Sequence, residues 1–304
     1  MLGFNGGLIG KDNTPVAGQS IPGVWTSREQ EVAVRTASWS GSGMLDVYLG
    51  ATAAFSLRTL KTALSQSPVV RVRRSSDNAE QNFTANEILD STLLTFCGAG
   101  NGFVTTWFDQ SGNENNATQP TAGEQPRIVT NGQLETDGGK PTIRFGVVAS
   151  SLLTPDITPE ANCAFFAVTR HTNPTSNWSW FVGEKYVSPL FIGKKNGSSI
   201  AHVAFAGGTG ASDLPGTDMV AKSVSYWQQG TGISKYRFNN NPISALPVDG
   251  SRFNVGFIIG RRGFSGNSEI WYGPIQELIY YPTSQLAVHS AIMNNINSYY
   301  NVYT

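Results

Sequence analysis

Residues 103–118 constrain the fold of this chain more than any other stretch. Phe103-Val104-Thr105-Thr106-Trp107-Phe108 is an apolar run of residue types that favour strands. It passes without a spacer into Asp109-Gln110-Ser111-Gly112-Asn113-Glu114-Asn115-Asn116. Asp, Ser and Asn bond nearby backbone through short side chains, and Gly tolerates positive φ. The stretch predicts a buried strand that stops in a self-bonded turn at Asp109, Gln110, Ser111, Gly112 and Asn113, with Asp109 accepting backbone N–H groups.

The rest of the chain reads as short strands with a few helices. Ala54, Leu57, Leu60 and Leu64 have helical spacing, and Pro68 ends that segment. Val69 to Arg73 alternates, so Arg71 and Arg73 share a strand face, with Asp77 and Glu80 at hand as ion-pair partners. Ser91 to Phe96 is a short apolar helix or turn. Short strands follow at 126–129 and 141–145. A β ladder then runs over 163–170, 179–182, 190–193, 201–205, 220–226, 234–238, 255–259 and 275–281. Leu286, Met293, Ile296 and Tyr300 predict a closing helix. With 33 Gly and 15 Pro, the chain has the turn residues that so many short strands need.

This pattern predicts an all-β sandwich over residues 46–304, preceded by an arm, residues 1–45. The arm is Gly-rich, without a core of its own, and Val24, Trp25 and Trp39 are its natural anchors on a partner surface. Charge is balanced, 21 basic residues against 21 acidic, which argues against a nucleic-acid or anionic-membrane partner held by net electrostatics. No apolar run approaches the ~18 residues of a membrane span. The N-terminal residues lack the pattern of a secretory signal. Cys97 and Cys163 read as two reduced, buried thiols, with a Cys97–Cys163 bridge as the alternative.

"AAFSLRTL" at 53–60, "VVRVRRSSDNAEQNF" at 69–83 and "WFDQSGNENNATQ" at 107–119, in that order, resemble the catalytic domain of the B-type α-L-arabinofuranosidases. They resemble still more the non-enzymatic relatives of that domain among bacteriophage particle proteins. The likeness runs over roughly residues 50–300. It implies a concanavalin-A-like (laminin-G-like) jelly roll with a few short helices. In the family, a Cys resembling Cys97 pairs with a second Cys five residues on; that position here is Gly102.

The same resemblance locates two carboxylates. The nucleophilic Glu falls near Ser188 or Pro189, before the strand Leu190-Phe191-Ile192-Gly193. The general acid falls in Ile258-Ile259-Gly260-Arg261-Arg262-Gly263. Neither stretch holds a carboxylate, although Glu184 and Glu269 lie near the expected strand ends. The implied role is therefore structural rather than enzymatic. The chain would be a virion protein at the particle surface, assembled in the host cytoplasm and decorating the head or attached to the tail. Its partners would be capsid or tail proteins and other copies of itself. An arabinofuranosidase-like hydrolase and a free lectin are the alternatives.

Trp178 and Trp180 share one face under strict alternation; core packing is one reading and stacking on a host-surface glycan the other. Asp109, Ser111 and Asn113 have the 1-3-5 spacing of a calcium loop. Glu114 and Pro120, however, occupy its Gly and bidentate-Glu positions, so a self-bonded turn is expected and no metal. His171, His202 and His289 lack metal-ligand spacing, and no cofactor motif is present.

Overall fold

The computed structural model describes residues 43–157, 162–173, 178–184, 191–204, 211–214, 217–229, 233–246, 256–262 and 269–304. Val24, Trp25 and Trp39 lie outside them. In chain order the strands begin with β1 (Ala53–Ser56), β2 (Val70–Arg74), β3 (Glu80–Phe83), β4 (Gly102–Trp107), β5 (Ala117–Thr118), β6 (Arg127–Thr130) and β7 (Gln133–Leu134). They continue with β8 (Thr136–Asp137), β9 (Lys140–Pro141), β10 (Ile143–Phe145), β11 (Leu152–Leu153), β12 (Ala164–Thr169), β13 (Ser179–Glu184) and β14 (Phe191–Lys194). The last are β15 (Ala201–Ala204), β16 (Ala211–Leu214), β17 (Ser223–Gln228), β18 (Ser234–Phe238), β19 (Ser244–Leu246), β20 (Phe257–Ile259) and β21 (Gly273–Tyr281). Among the described residues the α-helices are α1 (Met44–Val47), α2 (Ala85–Leu89), α3 (Thr92–Cys97) and α4 (His289–Tyr300).

Two antiparallel layers face each other. The first runs β19-β18-β17-β12-β21, and the free edge of β21 takes β10 at Gly273–Ile275 and β1 at Glu277–Tyr280. The second runs β3-β2-β4, whose far edge is shared by β6 and β5. It continues through β11, β20, β13, β14 and β15 to β16. A bridge between Arg144 on β10 and Arg127 on β6 joins the layers at one margin. The all-β sandwich expected from the turn-rich pattern is therefore the fold.

Rings lock the layers together. Phe257 of β20 lies edge-on to Phe55 of β1 and Phe165 of β12, at 6.2 and 5.8 Å. Trp107, the last residue of β4, is fully buried and sits 5.7 Å from Phe55. The first layer is apolar on its other face too. Ala54, Phe166, Ile279 and Tyr281 pack there with Ile292, Met293 and Ile296 of α4. Met44 and Leu45, expected in the arm, are buried in this second core.

That double burial explains the segment the sequence misassigned. The helical spacing at Ala54–Leu64 is accidental: Ala53 and Phe55 face the core between the layers, and Ala54 faces α4. Every residue of β1 is buried, so the polar alternation that marks a one-faced strand is missing.

Candidate functional site

The central turn is a structural latch. Asp109 Oδ1 accepts the backbone N–H groups of Ala54 and Ser111, both at 2.8 Å. Its Oδ2 accepts Ser111 Oγ at 2.6 Å and the Asn115 N–H at 3.0 Å. Gln110 Oε1 accepts the Leu60 N–H at 2.8 Å, while Nε2 donates to the carbonyls of Ser56 and Arg58 at 3.0 Å each. Asn113 Nδ2 donates to the Ala51 carbonyl at 3.1 Å. Gly112 takes φ +97°, open to glycine at little cost. The "SLR" and "DQSGN" motifs are thus two halves of one device that fixes β1 to the end of β4. Four donors occupy the lone-pair positions of Asp109, so its carboxylate is spent on the turn. Among the described residues no group of three His, Cys, Asp or Glu is placed to hold a metal ion.

The remaining motif residues also serve the frame. Arg58 forks onto Glu277 of β21, Nε to Oε2 at 2.8 Å and Nη2 to Oε1 at 3.0 Å. Arg71 pairs with Glu80 at 2.7 Å, as expected, but Arg73 donates to Gln125 Oε1 and Asn78 Oδ1 instead, and Asp77 pairs with Arg74 at 2.7 Å. Cys97 and Cys163 are free and buried, which settles the bridge as absent. Burial pushes their thiols up to about 11 and about 12.

A different arrangement lies where β13 meets the hairpin after β20. Trp178 and Trp180 are on one face, as alternation required, with ring planes 2° apart and centroids 5.6 Å apart. Trp180 is buried and Trp178 half-buried. A bulge between Trp180 and Val182 and a glycine opposite make the stack possible. A Cβ on Gly193 would lie 2.0 Å from the Ser179 carbonyl oxygen, so only glycine lets the two strands approach there.

Trp180 Nε1 donates to Glu269 Oε2 at 2.7 Å, and Arg262 Nη1 reaches the same oxygen at 3.1 Å. The hairpin sets this geometry: the Arg262 N–H bonds the Glu269 carbonyl, so the two side chains are cross-strand neighbours. One residue earlier, Arg261 pairs with Glu124 at 3.3 Å. Gly260, at φ +93°, starts the hairpin; a Cβ there would lie 2.2 Å from the Phe145 ring. The rim therefore offers an indole stack beside a carboxylate oriented by Trp180 and Arg262, with the Arg261–Glu124 pair one residue earlier along the chain.

Sequence reading named Trp178, Trp180 and Glu269 separately. It missed that Trp180 and Glu269, 89 residues apart, meet. It missed Glu124 altogether, and with it the pairing to Arg261. Glu184 ends β13 with its backbone opposite Phe257, four residues from Trp180 and so ~13 Å along the strand; its side chain is outside the described residues, as are Tyr186–Pro189. Of the histidines, His171 is fully buried against Trp271, centroids 4.8 Å apart, and His289 stacks on Tyr226 at 5.0 Å. The His202 side chain is not among those described.

No protein-family model and no curated protein sequence matches the chain. Solved structures do. A GH54 α-L-arabinofuranosidase soaked with a cyclic sulfate inhibitor matches 84% of this chain at 16% identity and a TM-score of 0.61. An arabinofuranosidase complexed with arabinofuranosyl-α-1,2-xylobiose matches the same share at 17% identity and a TM-score of 0.59. This chain spans 64% of the length of either enzyme. The likeness establishes a sandwich shared with solved glycoside hydrolases. It also overturns the expectation that the chain is no enzyme: that rested on two motif-aligned stretches, whereas 84% of the chain shares its fold with a solved glycoside hydrolase and the rim carries an oriented carboxylate at Glu269.

Proposed function

We propose that this chain is a carbohydrate-active protein of the arabinofuranosidase kind, recognising a furanosyl unit at the Trp178–Trp180 rim and hydrolysing its glycosidic bond there. The observation that carries this reading is the stacked indole pair with Glu269 bonded to Trp180 and Arg262. Flat indoles offer apolar area to a sugar face at low entropy cost. Glycoside hydrolysis needs two carboxylates, ~5–5.5 Å apart for retention or ~6.5–9.5 Å for inversion. Glu269 supplies one, and Glu124, held by Arg261, is the second to be tested. The fold likeness supports the choice of a glycoside as substrate. The attachment role expected of residues 1–45 gains no support from that likeness.

The test is release of chromophore from aryl α-L-arabinofuranosides. Turnover above background that Glu269→Gln or Glu124→Gln lowers by at least ~100-fold is the expected result. Absence of turnover on every aryl furanoside, together with no binding of arabinofuranosyl oligosaccharides, overturns the proposal.

A further inference from the structure

A second polar cluster lies on the α4 side of the first layer, around the β8–β9 hairpin. The hairpin tip, Gly138-Gly139, has φ +59° and +74°, and it seats Asp137 and Lys140 against the sheet. Asp137 Oδ1 pairs with Arg170 Nη2 at 2.5 Å. Lys222 Nζ donates to the Asp137 carbonyl at 3.0 Å and lies 5.3 Å from the Tyr300 ring centroid. Lys140 Nζ stands 4.3 Å from the Tyr299 ring centroid, with Arg58 also over that ring at 5.0 Å.

The charges here do not balance. Arg58 is neutralised by Glu277 and Arg170 by Asp137. Lys140 and Lys222 face tyrosine rings and carbonyl oxygens, and among the described residues neither has a carboxylate within ion-pair distance. In a chain whose net charge is zero, this spot carries two surplus cations. Burial first, and then Arg170 and Lys140, push the Lys222 ammonium below its ordinary range, with Asp137 opposing. Arg170 Nε is buried with no hydrogen-bond partner. Lys140 and Lys222 are both half-buried, so their donors reach solvent.

We infer that Lys140, Lys222 and Arg170 form a subsite for a single oxyanion, the carboxylate or sulfate group of an acidic saccharide. An anion there completes the donor capacity of Lys140 and offsets the charge of the two lysines that have no carboxylate partner. The subsite is separate from the Trp178–Trp180 rim and does not depend on the hydrolase reading.

The full chain, labelled for NMR detection of lysine Nζ and backbone amides, is titrated with sodium sulfate and separately with sodium glucuronate at constant ionic strength. Saturable shifts at Lys140, Lys222 and the hairpin amides are expected, weakened about tenfold or more in Lys140→Gln. Lys235→Gln on β18 should bind as the parent does. Lys222 also holds backbone carbonyls, so Lys222→Arg serves as its charge-preserving partner and should retain binding. Response to sulfate alone marks a sulfate ester as the source, response to glucuronate alone a uronic acid, and either supports the subsite. No saturable shift with either anion, or binding unchanged in Lys140→Gln, overturns it.

Discussion

The latch and the rim are built from the same materials and use them oppositely. At the latch Asp109, Gln110 and Asn113 turn inward, and their polar atoms bond backbone at 51–60. At the rim Trp178 stacks on Trp180, which with Arg262 holds Glu269, and Trp178, Glu269 and Arg262 remain partly open to solvent. A polar group that exhausts its bonding capacity inside the protein contributes register and stability. One that is oriented by a neighbour and still reachable can meet a ligand. Motif strength in the sequence points to the first kind, because a turn needs many residues in fixed order.

Acid should separate the two regions most strongly. Burial holds the His171 imidazole down to about 3, with Lys194 adding repulsion, against an ordinary value of 6.5. Below pH 6.5 the unfolded chain takes up a proton that the folded chain refuses, so stability falls as pH drops from 6.5 toward 3. The loss at the bottom of that window is on the order of 4 kcal/mol. His171 packs on Trp271, two residues beyond Glu269, so hydrogen exchange at pH 4 should open β13 and β20 before β1 and β4. The pH slope should flatten in His171→Gln. Earlier opening at the latch would break the comparison.

Asp109→Ala should cost about 3 kcal/mol or more by denaturant titration, since buried N–H groups of Ala54, Ser111 and Asn115 lose their acceptor. Sugar binding per folded molecule should be unchanged. A variant that unfolds like the parent but binds less would put the latch among the binding residues.

Gly102→Cys sharpens the comparison from the other side. A Cβ at Gly102 would lie 2.8 Å from Cys97 Sγ, close enough for a bridge that braces the start of β4. Oxidation should add at most about 2 kcal/mol, because the loop is short and Val72 and Val129 are crowded against the new Cβ. Reduction should remove the gain, and activity at the rim should not respond. The smallest effect on stability belongs to Trp178→Ala. Losing one member of the stack should cost about 1 kcal/mol of stability, while the KM for an aryl furanoside rises; calorimetry and kinetics on one preparation check both.

The sequence by itself determined the sandwich, the latch and most strand positions. Alternation, Gly and Pro punctuation and self-bonding turn residues are local signals, and local physics reads them. Ser234–Phe238 was legible to the residue, and the closing helix came with Met293, Ile296 and Tyr300 in place. The strand at Ala53–Ser56 was not legible, because burial on both faces erased its period. Nor was β3, Glu-Gln-Asn-Phe, which has almost no β propensity and is held by its pairing with β2. Only the tertiary structure decided that Trp180 would meet Glu269, that Arg261 would hold Glu124, and that Lys222 would reach the Asp137 carbonyl while Lys140 lay over Tyr299. Each of these meetings depends on the order of strands across the two layers. That order follows from which apolar faces find each other, and no spacing within one segment encodes it.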